Sequence, residues 1–425
     1  MEISIIGAGY VGLVTAVCFA ELSNEVICLD VDEKKVELIN QAKPPIYEQG
    51  LKELLEKHTG KNLYATTSYE QAIASSKVSF ICVGTPQTQT GGIDLSLIKE
   101  ASVNIGRALK EKKNYHIIVM KSTVLPLTSE KVVIPIIEKY SSGKRFGYGV
   151  NPEFLREGKA IYDFMNPDKI VIGARDEKSR REIVELYKNF KCPIIHTDLK
   201  TAEMIKYANN AFLAMKISFS NEIGNICKYL GIDTYEVMQA IGYDYRINPH
   251  FLNAGLGYGG SCLPKDLNAL INKAREIGYE PRLLEAVVRI NEEQPARMIK
   301  LLEKKLEIKN KKIALLGLAF KNDTDDVREA RAIHVIKKLK ERGARISAYD
   351  PRANENMRKI HPDIEYCSSA IEALKEADAC LILTEWGEFA KLKEEFEAMK
   401  NKLVIDGRHV LNPKGLNIEY EGLCW

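Results

Sequence analysis

A chain of 425 residues, 45% apolar and 28% charged, is long enough for two or three domains and too apolar for extended disorder. Its 61 lysines and arginines against 58 aspartates and glutamates leave a net charge of +3, which excludes a general attraction to nucleic acid or an anionic membrane. Nine cysteines with no C-x-x-C pair suggest neither a disulfide framework nor a metal site, and favour a reducing cytoplasm.

Residues 3–20 carry no charge, but Glu2 stands where a signal peptide needs cations and glycines interrupt the run, so a soluble chain is expected. Residues 3–6 read as a strand. Gly7-Ala8-Gly9-Tyr10-Val11-Gly12 then opens a helical pattern to Leu22, and residues 25–29 form a second strand ending on Asp30. Further strands over 78–83 and 116–120 close on Gly84-Thr85-Pro86 and Lys121-Ser122-Thr123. This alternation predicts an α/β fold with a parallel sheet and ligands at the carboxyl ends of the strands. From 201 to 230 one long helix is expected, ended at Gly231, with more helix over 267–277 and 282–306. At Lys311 the α/β pattern restarts, with strands over 313–316, 346–349, 379–383 and 403–405. The second α/β half repeats the architecture of the first without its glycine triplet. The division expected is a dinucleotide-binding Rossmann domain (1–200), a central helical segment (201–306) and a C-terminal Rossmann-like domain for a different nucleotide ligand (307–425).

Gly7-x-Gly9-x-x-Gly12, between a strand and a helix and followed at a suitable distance by Asp30, is a dinucleotide fingerprint. Gly7 permits a tight turn, Gly9 lets the backbone approach a pyrophosphate, and Gly12 allows close packing of helix on strand. Asp30 suits both ribose hydroxyls and repels a 2′-phosphate, favouring NAD over NADP. The motif alone would also serve FAD.

The densest chemistry lies in the run from Phe251 to Asp266. Gly255, Gly257, Gly259 and Gly260 would let backbone approach a ligand. If a helix begins after Pro264, Cys262 lies near its positive end, where a thiolate nucleophile is favoured. A buried structural cysteine is the competing reading.

Gly259-Gly260-Ser261-Cys262-Leu263-Pro264-Lys265-Asp266, the N-terminal Gly-x-Gly-Tyr-Val-Gly and Asn151-Pro152-Glu153-Phe154-Leu155-Arg156-Glu157-Gly158 resemble the UDP-glucose 6-dehydrogenases and their GDP-mannose relatives. The similarity runs nearly end to end. It implies oxidation of a sugar C6 alcohol to a carboxylate with two NAD per product. Cys262 would capture the aldehyde, first as thiohemiacetal and then as thioester. Lys206 and Asn210, on one face of the long helix, would stabilise the C6 oxyanion, Asp266 would manage a proton, and Glu153 and Thr123 would activate the hydrolytic water. By the same resemblance Glu153, Phe154, Leu155, Arg156 and Glu157, together with Phe251, Leu252, Asn253, Ala254 and Gly255, line the sugar-nucleotide channel. Gly259, Lys321, Arg408 and Arg246 also meet substrate, Arg246 from a neighbouring subunit. Val11, Lys35, Thr85, Thr123, Glu157, Lys265 and Arg328 approach the NAD. UDP-glucose is the expected substrate and partner, with GDP-mannose as the alternative and a catalytically silent nucleotide-sugar sensor as a third reading. An apolar stripe on the 201–230 helix (Ala202, Ile205, Ala208, Phe212, Met215, Phe219, Ile223, Ile226) predicts a homodimer or higher oligomer.

Overall fold

Apolar runs of four or five residues form the central strands of the computed structural model, which describes residues 1–425 as two units, Met1–Asn209 and Asn210–Trp425. In the first unit β1 (Glu2–Ile6), β2 (Glu25–Leu29), β3 (Leu63–Thr66), β4 (Val78–Ile81), β5 (Ile117–Met120), β6 (Gly147–Val150), β7 (Ile170–Ala174) and β8 (Ile194–Thr197) form one sheet. Its order is β3-β2-β1-β4-β5-β6-β7-β8. Alternate residues feed cores on opposite faces: Ile3, Ile5, Ile117 and Val119 on one, Ile6, Ile118 and Met120 on the other. Burial on both faces is why these strands read as unbroken apolar runs. The sheet is not wholly parallel as expected, because β6 and β7 pair antiparallel. β4 also ends earlier than expected, at Ile81; beyond Cys82, whose N–H still reaches Ile6, the chain leaves the sheet toward Gly84.

The second unit contains β9 (Lys312–Leu316), β10 (Arg345–Tyr349), β11 (Glu365–Tyr366), β12 (Ala379–Ile382), β13 (Leu403–Asp406) and β14 (Glu419–Gly422), in the order β11-β10-β9-β12-β13-β14 and all parallel. The first six strands of one sheet and all six of the other thus share the doubly wound order 3-2-1-4-5-6, whose switch point lies beside the first strand.

The unit boundary falls within a helix, Leu199–Leu230, that ends where Gly231 turns left-handed at φ 68°. Lys206, Asn210, Ala214, Ser218 and Asn221 on this helix are buried, whereas Phe212, Phe219 and Ile226, seven residues apart, are 58%, 45% and 51% exposed. Ala202, at the start of the expected stripe, is buried instead. A helix at Leu263–Glu276 begins four residues earlier than the pattern suggested, because Pro264 is compatible with a first turn that needs no N–H there. Another helix, Arg282–Glu303, follows. No helix is long and apolar enough to cross a membrane.

Candidate active site

The first unit builds a dinucleotide cradle from the fingerprint upward. Gly7 has φ 101°, and a Cβ there would press on the carbonyl of Cys82. A Cβ on Gly12 would lie 1.7 Å from the Gly7 carbonyl oxygen, so helix and strand can meet only with glycine at this position. Gly9 differs: a Cβ there would meet nothing within 4 Å. Its missing side chain leaves room for a group that is not part of the chain. Gly9 is also the N-cap of the helix Tyr10–Glu21, which has neither a side-chain cap nor an acidic residue in its first turn, so its N-terminal dipole is left for a phosphate.

Asp30 directly follows β2 and is buried, with Oδ2 accepting from Ala8 N at 2.8 Å and Oδ1 from Asp32 N at 3.0 Å. Each oxygen retains acceptor capacity for a ribose hydroxyl. Lys35 lies 3.7 Å from Oδ2, Thr85 is buried after β4, and Val11 and Thr123 are half-buried. The residues fit a dinucleotide.

The second sheet has a carboxylate at the same place, Asp350 after β10, but it is saturated. Oδ2 accepts from Leu318 N, Ala319 N and Trp386 Nε1 at 2.7–3.0 Å, and Oδ1 from Arg352 N and Ala353 N at 2.8 Å. Five N–H donors leave it no role with a ribose. One dinucleotide site and a second sheet of different specificity follow from this contrast.

Beyond β6, the turn Asn151-Pro152-Glu153 carries a buried charged cluster. Glu153 Oε1 lies 3.0 Å from Lys206 Nζ, and Oε2 accepts from Leu155 N at 2.6 Å. Burial pushes the Glu153 carboxyl up, but Lys206, the Leu155 N–H and Lys121 outweigh it and hold the group below its ordinary value. The ring of Phe154 lies under the ammonium groups of Lys169 and Lys206. Arg156 is exposed and paired with Asp163, and Glu157 is half-buried.

In the second unit Cys262 is the N-cap of the helix Leu263–Glu276 and is the one exposed cysteine of the nine. One turn on, Asp266 is 2% exposed; Oδ2 accepts from Asn210 Nδ2 at 2.7 Å and Oδ1 from Lys265 Nζ at 2.6 Å. The structure thus brings together Asn210, Asp266 and Lys265.

The glycine-rich run has a cause within the fold as well. A Cβ at Gly255, Gly257, Gly259 or Gly260 would strike, respectively, the Gly407 carbonyl, the Asn291 amide, the Glu329 carbonyl or the Phe320 ring. These glycines are demanded by the chain's own packing. Buried amides grip the same backbone: Asn221 accepts from Gly255 N, Gln294 donates to Gly255 O, and Asn291 bonds both the N–H and C=O of Tyr258. Arg408 donates to Leu383 O and Gly257 O, leaving three of its five donors. Phe251 is half-buried at φ 65°, Leu252 and Ala254 are buried, Asn253 is exposed and Lys321 half-buried. Arg246 and Arg328 are exposed and pair with their neighbours Asp244 and Asp326.

Sequence reading passed over Lys121, Asn221, Asn291, Gln294 and Glu48. Buried Glu48 accepts from Gly158 N and Ala160 N, both at 2.8 Å, and so ties down the segment after Glu153. Lys121 alone carried a signal, as a cation abutting a fully apolar strand.

A fingerprint turn open to a dinucleotide, an acidic acceptor after the second strand and a second doubly wound sheet define a dinucleotide-binding α/β protein, and the known proteins it matches make it an oxidoreductase. Family models agree in chain order: the UDP-glucose/GDP-mannose dehydrogenase NAD binding domain matches residues 1–191, the central domain 200–293 and the UDP binding domain 314–413. The chain is 48% identical to UDP-glucose 6-dehydrogenase AglM of Haloferax volcanii over 100% of both chains. It is 37% identical to the GDP-mannose 6-dehydrogenase of Azotobacter vinelandii, again over 100% of both. A solved UDP-glucose dehydrogenase from Pyrobaculum islandicum superposes with a TM-score of 0.96 at 41% identity, covering 100% of this chain and 98% of that one. The chain therefore belongs to the UDP-glucose/GDP-mannose dehydrogenase family, and its cofactor is NAD.

Proposed function

We propose that the chain oxidises C6 of UDP-glucose to the carboxylate of UDP-glucuronate, with two NAD consumed per product. The observation that carries this reading is Cys262, solvent-facing at a helix N-terminus while the other cysteines are buried or half-buried. NAD supplies the hydride acceptor for both oxidations. Lys206 and Asn210 donate to the C6 oxygen as it gains negative charge, and Asp266 exchanges the proton. Once the first hydride has left C6, the Cys262 thiolate adds to the aldehyde carbon and its oxygen takes up a proton, giving a thiohemiacetal. Loss of that proton and of the second hydride leaves a thioester. Glu153, held ionised by its cationic neighbours and assisted by Thr123, takes a proton from water, whose oxygen adds to the thioester carbon; the C–S bond breaks and the thiolate returns.

The remaining assignments rest on the family resemblance. Val11, Lys35, Thr85, Glu157, Lys265 and Arg328 serve NAD; Phe154, Leu155, Arg156, the 251–255 run, Gly259, Lys321 and Arg408 serve the sugar nucleotide. UDP-glucose is favoured over GDP-mannose by the 48% against 37% identity to relatives so named. The exposed Phe212, Phe219 and Ile226 favour a homodimer in which Arg246 serves the neighbour; monomeric light scattering would refute it. We keep 1–200, 201–306 and 307–425 as the functional division and the cytoplasm as its location. The deciding experiment is NADH formation with a panel of UDP- and GDP-sugars. UDP-glucose should be used best; faster turnover of GDP-mannose would overturn the substrate, and no turnover of any sugar would overturn the reading.

A further inference from the structure

Lys121 is 4% exposed, at the carboxyl end of β5. Its ammonium donates to Asn151 Oδ1 at 3.0 Å and faces the rings of Phe80 and Phe164 at 6.0 and 5.9 Å. No carboxylate lies within 4.0 Å of it: Glu153, the carboxylate that acts on it, is in salt-bridge contact with Lys206 instead. A buried ammonium is costly unless it is paired or has work to do. The amide it holds is the first residue of the turn that presents Glu153, and Asn151 is fixed besides by Tyr187 OH (2.6 Å) and Val171 O (2.9 Å). The cluster therefore counts two buried ammonium groups against one buried carboxylate.

We propose that Lys121 is a positioning residue for thioester hydrolysis: through Asn151 it fixes the Glu153 turn, and its charge favours the ionised form of Glu153 when Lys206 is drawn to the substrate oxygen. The inference rests on Glu153 being the hydrolytic base. In the ligand-free arrangement Lys206 is the principal cation on Glu153, yet the same lysine has to serve the C6 oxyanion. With its protons directed there, a carboxylate as buried as Glu153 retains the Leu155 N–H and one further cation, Lys121. The groups that act on Glu153 are Lys206, the Leu155 N–H and Lys121, and those on Lys121 are Cys82, Glu153, Lys206 and Cys18. Burial drives the Lys121 ammonium down from its ordinary range, with Cys82 and Glu153 drawing it back.

The test is the pH profile of thioester hydrolysis, followed by release of the Cys262 adduct in single turnover, for wild type, Lys121→Gln, Lys121→Met, Lys121→Arg and Glu153→Gln. Lys121→Gln keeps a donor for Asn151 and removes the charge. Its acid limb, and that of Lys121→Met, should move up by about one pH unit, a tenfold slower hydrolysis on the limb. Lys121→Arg should restore the limb, a rescue that a purely structural role does not require of charge. A wild-type limb in Lys121→Gln overturns the proposal, and if Lys121→Met does not fold, Lys121→Gln and Lys121→Arg still decide it. Glu153→Gln separates the two levels: loss of its acid limb upholds the base, while a persisting limb overturns the base and this inference with it.

Discussion

Replacing Lys206 by methionine leaves a carboxylate that is 8% exposed without its 3.0 Å partner. At an effective dielectric of 20 the pair's direct attraction is about 5–6 kcal/mol, and breaking such a buried pair typically costs about 3–5 kcal/mol. Glu153 can limit that cost by taking a proton. From an ordinary glutamate value of about 4.3, protonation costs about 3.7 kcal/mol at pH 7 and about 1 kcal/mol at pH 5. In wild type the folded value is depressed, so the carboxylate contributes stability above the unfolded value and loses it as pH falls through the folded one. In Lys206→Met the folded value is raised, so stability is lost as pH rises past the unfolded value. The mutant's deficit should grow from about 1 kcal/mol at pH 5 to about 3–4 kcal/mol at pH 7. Denaturant titrations followed by circular dichroism across this range read it directly. Adding Glu153→Gln should return most of the loss at pH 7. A deficit independent of pH, or a double mutant no more stable than the single, would refute the argument.

Two further outcomes are expected. Asp30→Asn keeps the side-chain shape and removes its charge, so the preference for NAD over NADP should fall by on the order of tenfold or more, measured as the kcat/KM ratio; an unchanged ratio contradicts the ribose assignment. Glu203 is buried against Leu127 N and Ser129 N, and burial raises its carboxyl to about 7. Its raised value means stability is lost between the unfolded value and pH 7, so Glu203→Gln should gain on wild type by about 3 kcal/mol between pH 5 and pH 8. A stability difference that is flat across that range contradicts it.

The elements most legible in the sequence were those whose burial is one-dimensional. β1, β2 and β5 are short, largely apolar runs followed directly by Gly7, Asp30 and Lys121, and the fingerprint follows from the first two. β6, the strand just before Glu153, was hard to delimit because Gly147 and Gly149 ordinarily weaken a strand. A Cβ at Gly147 would strike Ser179 Oγ at 2.5 Å, and one at Gly149 would strike Ile183 Cδ1 at 2.3 Å, so these glycines admit the helix Glu177–Glu185 close to the sheet. No local pattern encodes that. Cys262, with Asp266 four residues on, stood out by its local chemistry, whereas Lys206 was singled out only through the family resemblance. Glu48 and Gln294 were not legible, since each is an ordinary polar residue until the fold buries it against a backbone group far along the chain. The four glycines before Cys262 were legible as a feature, but their packing role was not, because their neighbours come from residues 291, 320, 329 and 407.

The account turns on a covalent step at Cys262, and intact-mass spectrometry of Glu153→Gln mixed with UDP-glucose and NAD tests it most directly. The protein should gain the mass of a UDP-glucuronyl group on Cys262, with two NADH released per adduct and none formed on Cys262→Ser. An unmodified protein turning over at the wild-type rate, or an adduct on another residue, would contradict it.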